Sequence, residues 1–231
     1  MTPNMFKAFL QLLFPDVCVA CKEPLVAQEK HLCTDCMFDL PKTDSHKGLY
    51  HVLENRFAGR IMPQHQFAYL KFKKASNVQH IMHAIKYGGN QELGQMLGRW
   101  FGADLNEVGL ANTFDVYIPI PLHKKRQIER GYNQATCIAE GLAESLGGIV
   151  LENAVQRVRA TESQVRKKRM ERFENVEKLF EVITPEMLEN KRIVIVDDTL
   201  TTGATIESCF EAIKAVNPKE ISIMVLACAE Q

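Results

Sequence analysis

The residues with the most chemistry stand in "RIVIVDDTLTTGATIE", Arg192 to Glu207. A β-branched run ends in Asp197 and Asp198, and a Thr-Thr-Gly-Ala-Thr turn follows almost at once. The turn has the makings of a phosphate cradle. Thr201, Thr202 and Thr205 bring hydroxyl donors, and Gly203 lets the backbone approach a ligand closely. A helix starting near Ala204 or Thr205 presents free N–H groups and a partial positive charge. Two carboxylates beside such a cradle would repel the anion, so they must face something else: a neutral diol, or Mg2+ reached through the ligand or water. A ribose 5-phosphate has both a phosphate and a diol. The plainer alternative is a strand-end turn in which Asp and Thr only cap a helix, but the whole run is more specific than capping requires.

Four cysteines make a second constellation. Cys18 and Cys21 form one Cys-x-x-Cys knuckle, Cys33 and Cys36 another, with eleven residues between. That spacing fits tetrahedral Zn2+ on four thiolates at about 2.3 Å, a filled shell and therefore a structural site. Two redox pairs or two disulfides are the alternative. A unit this small has too little core to fold alone, so the metal would supply its stability. Cys137, Cys209 and Cys228 lie in apolar patterns, where buried free thiols are common. The odd total of seven points to a reducing, cytoplasmic setting.

Two stretches are basic. Lys124, Lys125, Arg126 and Arg130 face a single Glu between His123 and Arg130, and they suit the neutralisation of a pyrophosphate. A solvated loop with ordinary cations is an equal alternative. Between Arg157 and Arg172, seven Lys or Arg face two Glu. Such a run reads as a solvated face, or as a loop that closes over an anionic site.

These groups need a scaffold. At 231 residues, 46% of them hydrophobic, the chain is long enough for one good core plus a small module. Its formal net charge of zero gives no sign of a nucleic-acid partner. No apolar run reaches the roughly 18 residues of a membrane span. Phe6, Phe9, Leu10 and Leu13 recur at helical spacing, which predicts a short amphipathic helix, and no small-residue cleavage site follows to make it a secretory signal. Residues 45–63 read as a loose segment. Gln66 to Phe72 alternates like a strand, with Phe67, Tyr69 and Lys71 on one side. The stripe Val78, Ile81, Met82, Ile85 predicts a helix from Ser76 or Asn77 to Gly88. A second helix follows, whose glycines 94, 98 and 102 suggest a face packed closely on a neighbour. "FDVYIPIP" reads as a strand, "NQATCIAEGLAESLGG" as a helix and "IVLENAVQRV" as one strand. The unbroken apolar run Ile193–Val196 suits a central parallel strand. A helix and a last strand, "EISIMVLACA", complete the chain. The expected fold is α/β, a mostly parallel sheet flanked by helices, with ligands at the carboxyl ends of its strands. Two units are expected: 1–45, the N-terminal helix with the four-cysteine module, and 46–231.

Taken in order, the four N-terminal cysteines, "IKYGGNQELG", "PIPLHKKRQIERGYNQA", "RATESQVRKKRMERFENV" and "VDDTLTTGAT" resemble the ComF family of competence-associated, phosphoribosyltransferase-like proteins over nearly the whole chain. "VDDTLTTGAT" itself closely resembles the signature of the type I phosphoribosyltransferases. The resemblance implies a type I phosphoribosyltransferase-like domain behind a zinc-ribbon-like module. It implies that Asp197 and Asp198 take the ribose hydroxyls of phosphoribosyl pyrophosphate, bound with Mg2+, and that Thr201, Thr202, Gly203, Ala204 and Thr205 take its 5-phosphate. It further implies a cytoplasmic protein that supports DNA uptake in natural transformation, whose turnover, if any, is transfer to an acceptor base chosen by a hood, for which 45–72 is the candidate segment. Cys18 is internal and belongs to a knuckle, so glutamine-dependent amidotransfer is not expected. A reading of another class is a non-catalytic module with a vestigial or sensory sugar-phosphate site. It binds single-stranded DNA through the basic stretches and the aromatics of "QFAYLKFKK", or docks a competence helicase.

Overall fold

The apolar run Ile193–Val196 lies fully buried in the middle of a five-stranded sheet. The computed structural model describes residues 15–158 and 179–229. Within them the strands are β1 (Gln66–Phe72), β2 (Val116–Pro119), β3 (Ile149–Val150), β4 (Val155–Arg157), β5 (Phe180–Val182), β6 (Arg192–Leu200) and β7 (Glu220–Ala229). The helices are α1 (Thr34–Phe38), α2 (Val52–Phe57), α3 (Asn77–Tyr87), α4 (Gln91–Glu107), α5 (Lys124–Arg130), α6 (Gln134–Leu146) and α7 (Ala204–Lys214). The main sheet has the order β1-β7-β6-β2-β3, and every pairing in it is parallel. Crossover helices cover both faces of a parallel sheet, so its central strands are apolar throughout.

Strand alternation sorts the core into two layers. Val194, Val196, Met224 and Leu226 pack with α3, α4 and α6. Ile193, Ile195, Ile223 and Val225 pack with α2 and α7 on the other face. All four residues of the α3 stripe are buried. Tyr69 is buried as well, stacked on Phe101 with ring centroids 5.1 Å apart, so it belongs to the core and offers no surface to a DNA base.

Helices α4 and α6 cross through glycine. A Cβ on Gly98 would lie 2.4 Å from the Ile138 carbonyl oxygen, and one on Gly141 would lie 2.1 Å from that of Gln95. The pairing of Gly94 with Cys137, Gly98 with Gly141 and Gly102 with Ser145 makes the two helices parallel neighbours.

The cysteine module rests on this body. Cys18, Ala20, Leu32, Cys36 and Leu40 join the α3–α4 core layer. A His80 ring nitrogen lies 2.7 Å from the Ala20 carbonyl. Lys30 pairs with Glu92 at 3.1 Å, and Lys42 with Asp104 at 2.8 Å.

Two expectations need correction. The stretch read as one strand from Ile149 divides at a turn over Glu152 and Asn153. β3 stays in the main sheet, and β4 leaves it to pair antiparallel with β5. The segment 45–63 is not loose. It holds a 3-10 turn, Ser45–Lys47, and α2, whose Leu53 and Phe57 are buried one helical turn apart. Arg56 of α2 donates to the Ala229 carbonyl at 2.8 Å, tying α2 to the end of β7. The readings of Phe6, Phe9, Leu10 and Leu13 as a helix and of "RATESQVRKKRMERFENV" as a basic loop lie outside the described residues.

Candidate functional site

Asp198 stands near the carboxyl end of β6 between two cations. Lys86 Nζ lies 3.1 Å from its Oδ1, and Arg130 Nη1 lies 3.4 Å from its Oδ2. Lys86 also donates to Thr199 Oγ1 at 2.8 Å. All three side chains are largely shielded, with 20% of Lys86, 12% of Asp198 and 6% of Arg130 exposed. Several groups hold Arg130 in place. Its Nη1 donates to Oε1 of the fully buried Gln134 at 2.6 Å. Its guanidinium lies over the Tyr87 ring. Asn133 caps α6 and donates to the Ile120 carbonyl at 3.1 Å, and the Tyr132 hydroxyl donates to the Ile85 carbonyl, which fixes the chain around Arg130.

Asp197 has the parity of Ile193 and Ile195, so it turns toward the α7 face, where its charge helps push up the buried Cys209 thiol. Its own carboxylate accepts the Asp198 backbone N–H at 2.8 Å. Burial, followed by the neighbouring Asp198 charge, pushes the Asp197 carboxyl up to about 7; that N–H, Lys86 and Arg130 pull the other way. The adjacent carboxylates therefore differ: one is clasped by two cations, and the other is held near its protonation point.

The loop beyond them is open to solvent. Thr201 and Thr202 are exposed, and no described residue hydrogen-bonds the hydroxyl of Thr201, Thr202 or Thr205. Gly203 precedes α7 with φ +88°, a conformation natural only to glycine. A Cβ there would also meet Phe57 Cε1 at 2.8 Å. Ala204 and Thr205 open α7, whose first N–H groups are unpaired within the helix.

The structure divides the basic candidates. The expected basic loop after β2 is the short helix α5, capped by His123 and closed by Gly131 at φ +77°. Of its cations only Arg130 reaches the carboxylates; Lys124, Lys125 and Arg126 point into solvent. Two polar residues of the cluster escaped the sequence reading of the site. Lys86 follows the last apolar residue of the α3 stripe, and its partial burial came from the fold. Gln134, fully buried in α6, was hidden inside a helix pattern.

The four-cysteine set is assembled. One Sγ from each of Cys18, Cys21, Cys33 and Cys36 lies within 4.8 Å of the others, and Cys21 and Cys33 are 3.7 Å apart. Thiolates at about 2.3 Å from a tetrahedral zinc ion stand roughly 3.8 Å apart, so the set fits. Backbone N–H groups aim at the sulfurs, as from Cys33 to Cys18 at 3.3 Å. Burial raises the Cys18 thiol, but the N–H groups of Cys21, Cys33 and Ala20 outweigh it and bring the thiol down to about 7. Burial and the crowded sulfurs raise Cys36. So crowded a set carries four negative charges only around a cation. His31 turns away toward α4, its Nδ1 3.2 Å from Asn90 Nδ2 and its Nε2 3.4 Å from Glu92.

A parallel sheet with an Asp-Asp strand end and a Thr-Gly turn, behind a four-thiolate module, defines a phosphoribosyltransferase-like protein with an N-terminal zinc ribbon. Comparison agrees on both parts. Family models named phosphoribosyl transferase domain and double zinc ribbon domain match residues 133–231 and 9–46. The second match contains only four cysteines, enough for a single tetrahedral set. The chain is 32% identical over 116 residues to Competence protein F of Haemophilus influenzae, covering 50% of this chain and 51% of that one. It is 32% identical over 130 residues to Competence protein ComFC of Bacillus subtilis, 56% of this chain and 50% of that one. These matches span about half of each competence protein. The DNA utilization protein YhgH of Salmonella typhimurium matches more fully, at 27% identity over 84% of this chain and 89% of that one. Together these likenesses support a ComF-family, phosphoribosyltransferase-like protein.

Proposed function

We propose that this protein binds phosphoribosyl pyrophosphate at the carboxyl end of β6 and supports the uptake or use of DNA. The observation that carries the binding half is the pairing of the Asp197–Asp198 step with an open, unsatisfied Thr-Gly turn. Asp198, clasped by Lys86 and Arg130, has lone pairs left for ribose hydroxyls. Asp197 completes the diol contact. Thr201, Thr202, Gly203, Ala204 and Thr205 receive the 5-phosphate at the start of α7. Lys124 and Arg126, on exposed α5, add positive potential at the approach to the site. Both Asp198 oxygens already face cations, so Mg2+ would enter with the ligand rather than on Asp198, and it would neutralise charge on the departing diphosphate. If there is turnover, a nucleophilic nitrogen displaces the diphosphate, and the two carboxylates steady the positive charge on the sugar ring.

The DNA half is supported by the names of the relatives: competence for two of them, DNA utilization for the third. On this reading the cysteines of unit 1–45 hold structural zinc, unit 46–231 carries the sugar-phosphate site, and the protein works in the cytoplasm. Among the described residues no helix is long and apolar enough to cross a membrane. The second reading, a non-catalytic module that binds single strands or docks a helicase, rests on the solvent-facing Lys124, Lys125 and Arg126.

Calorimetric titration with phosphoribosyl pyrophosphate and Mg2+ tests the site. Binding that is lost in the Asp197→Asn, Asp198→Asn double variant is expected. A folded, zinc-loaded protein that binds nothing would leave the second reading in possession.

A further inference from the structure

The Thr-Gly turn has an acid at its edge. Glu207 stands in the first turn of α7, and its backbone N–H donates to the Gly203 carbonyl at 2.9 Å. Its side chain folds back toward the cap, with Oε1 3.5 Å from the point a Cβ on Gly203 would occupy. An acid in a first turn ordinarily steadies its own helix through the dipole. Here a phosphate needs the same positive helix end, and a carboxylate beside it repels the ligand.

That carboxylate is not left to water. Glu207 Oε1 is sealed from solvent and receives no aligned hydrogen bond among the described residues. The cation that meets it is Arg60, whose Nη1 lies 2.5 Å away. Arg60 comes from outside the Asp-Thr signature. It follows α2 in a turn with Gly59 at φ +72°, where the N–H groups of Arg60 and Ile61 donate to the Phe57 carbonyl at 3.0 and 3.2 Å. Phe57 closes on the same cap, its Cε1 2.8 Å from that Cβ position on Gly203. One short stretch of the candidate hood, 45–72, thus sets both a ring and a guanidinium against the start of α7.

Resting on the sugar-phosphate reading above, we propose that Arg60 makes the Thr-Gly turn receptive to a phosphate dianion by cancelling the charge of Glu207. Arg60 is then a positioning residue, acting on the ligand through Glu207 rather than by touching it. The hood segment thereby shares in holding the sugar phosphate, apart from any choice of acceptor base. The plainer alternative is an ion pair that only ties the end of α2 to α7.

The test is a double-mutant cycle. Ribose 5-phosphate, which carries the phosphate and the diol without the diphosphate, is titrated into wild type, Arg60→Gln, Glu207→Gln and the double variant, with a thermal melt on each. Arg60→Gln is expected to lose about tenfold, the scale of one uncancelled charge at close range. Glu207→Gln should bind as well as wild type or tighter, and the double variant should lie within about twofold of Glu207→Gln. A mere tie behaves differently. Either single variant would break it, so equal losses in Arg60→Gln and Glu207→Gln would overturn the proposal. A double variant as weak as Arg60→Gln would put the guanidinium on the phosphate itself and overturn it too, as would an unchanged Arg60→Gln. If Arg60→Gln does not fold, Arg60→Lys, which keeps the charge, should bind close to wild type, and Glu207→Gln still decides: weakened binding there overturns the proposal. A folded wild type that binds no ribose 5-phosphate overturns the sugar-phosphate reading as well, so the two failures are told apart.

Discussion

The Arg130 guanidinium lies over the Tyr87 ring, its Cζ 5.5 Å from the centroid, and the same guanidinium reaches Asp198. Tyr87 is half exposed, so its ring adds little to the core. Its work is to hold a cation in position. Tyr87→Ala should therefore weaken phosphoribosyl pyrophosphate binding a few-fold, from a cation–π contact worth about 0.5–1 kcal/mol at such a site. Tyr87→Phe, which keeps the ring, should bind like wild type. Titration of the two variants checks this, with melting temperature expected to stay close to wild type in both.

Asp197 should cost stability as pH rises. Its folded carboxyl is pushed up to about 7 from an ordinary value near 4, so between those values the folded chain keeps a proton that the unfolded chain has lost. Stability from this group is present below pH 4, falls as pH climbs, and is fully lost above 7. Asp197→Asn removes the dependence. The variant should melt higher than wild type at pH 8, with the advantage shrinking toward pH 4, while its ligand binding is impaired. Thermal melts at several pH values would show whether the gap closes in acid.

Metal removal should affect more than the cysteine module. Cys18, Ala20, Leu32 and Cys36 share a core layer with Val78, Ile81 and Ile85 of α3, the helix that carries Lys86. One zinc per chain is expected by metal analysis, on the four thiolates. Chelation, or Cys21→Ser, should lower the melting temperature by several degrees and weaken ligand binding together. Loss of zinc with an unchanged melt would show that the module contributes no stability to the body.

Gly141 has no room for a side chain. Its Cβ would stand 2.7 Å from the Arg99 nitrogen as well as against the Gln95 carbonyl, and backbone cannot swing aside as a rotamer does. Gly141→Ala should lose about 2–3 kcal/mol, at the upper end of overpacking costs. Gly94→Ala, whose Cβ would meet only Cys137 Cβ at 3.4 Å and Ile85 at 3.8 Å, should be nearly neutral. Urea denaturation of the pair would measure the difference.

Much of this was legible in the residues. Period-two and period-3.6 patterns placed β1, α3, α4, α6, β6 and β7, because each buries one face or both. The four-residue glycine spacing announced the α4–α6 crossing, and the Cys-x-x-Cys knuckles announced the thiolate set. The failures have physical causes. α2 is short, and its Leu53 and Phe57 are too few to make a stripe. β3 and β4 are separated by a two-residue turn that a strand pattern runs straight through. Lys86 and Gln134 are polar residues on amphipathic helices, ordinarily solvent-facing, and only the assembled fold shows that Lys86 points at Asp198 and Gln134 at Arg130.

The α4–α6 crossing has one more consequence. At its amino-terminal end α4 carries Asn90 and Glu92, which grip His31 and Lys30 of the cysteine module; α6 begins at that same end with Gln134, which grips Arg130. Between them Gly98 and Gly141 set backbone against backbone, with little side chain there to compress or re-rotate. A tilt of α4 imposed by the module would therefore be felt at Gln134, and through it at the guanidinium over Tyr87, which links the set of the four thiolates to the aim of Arg130.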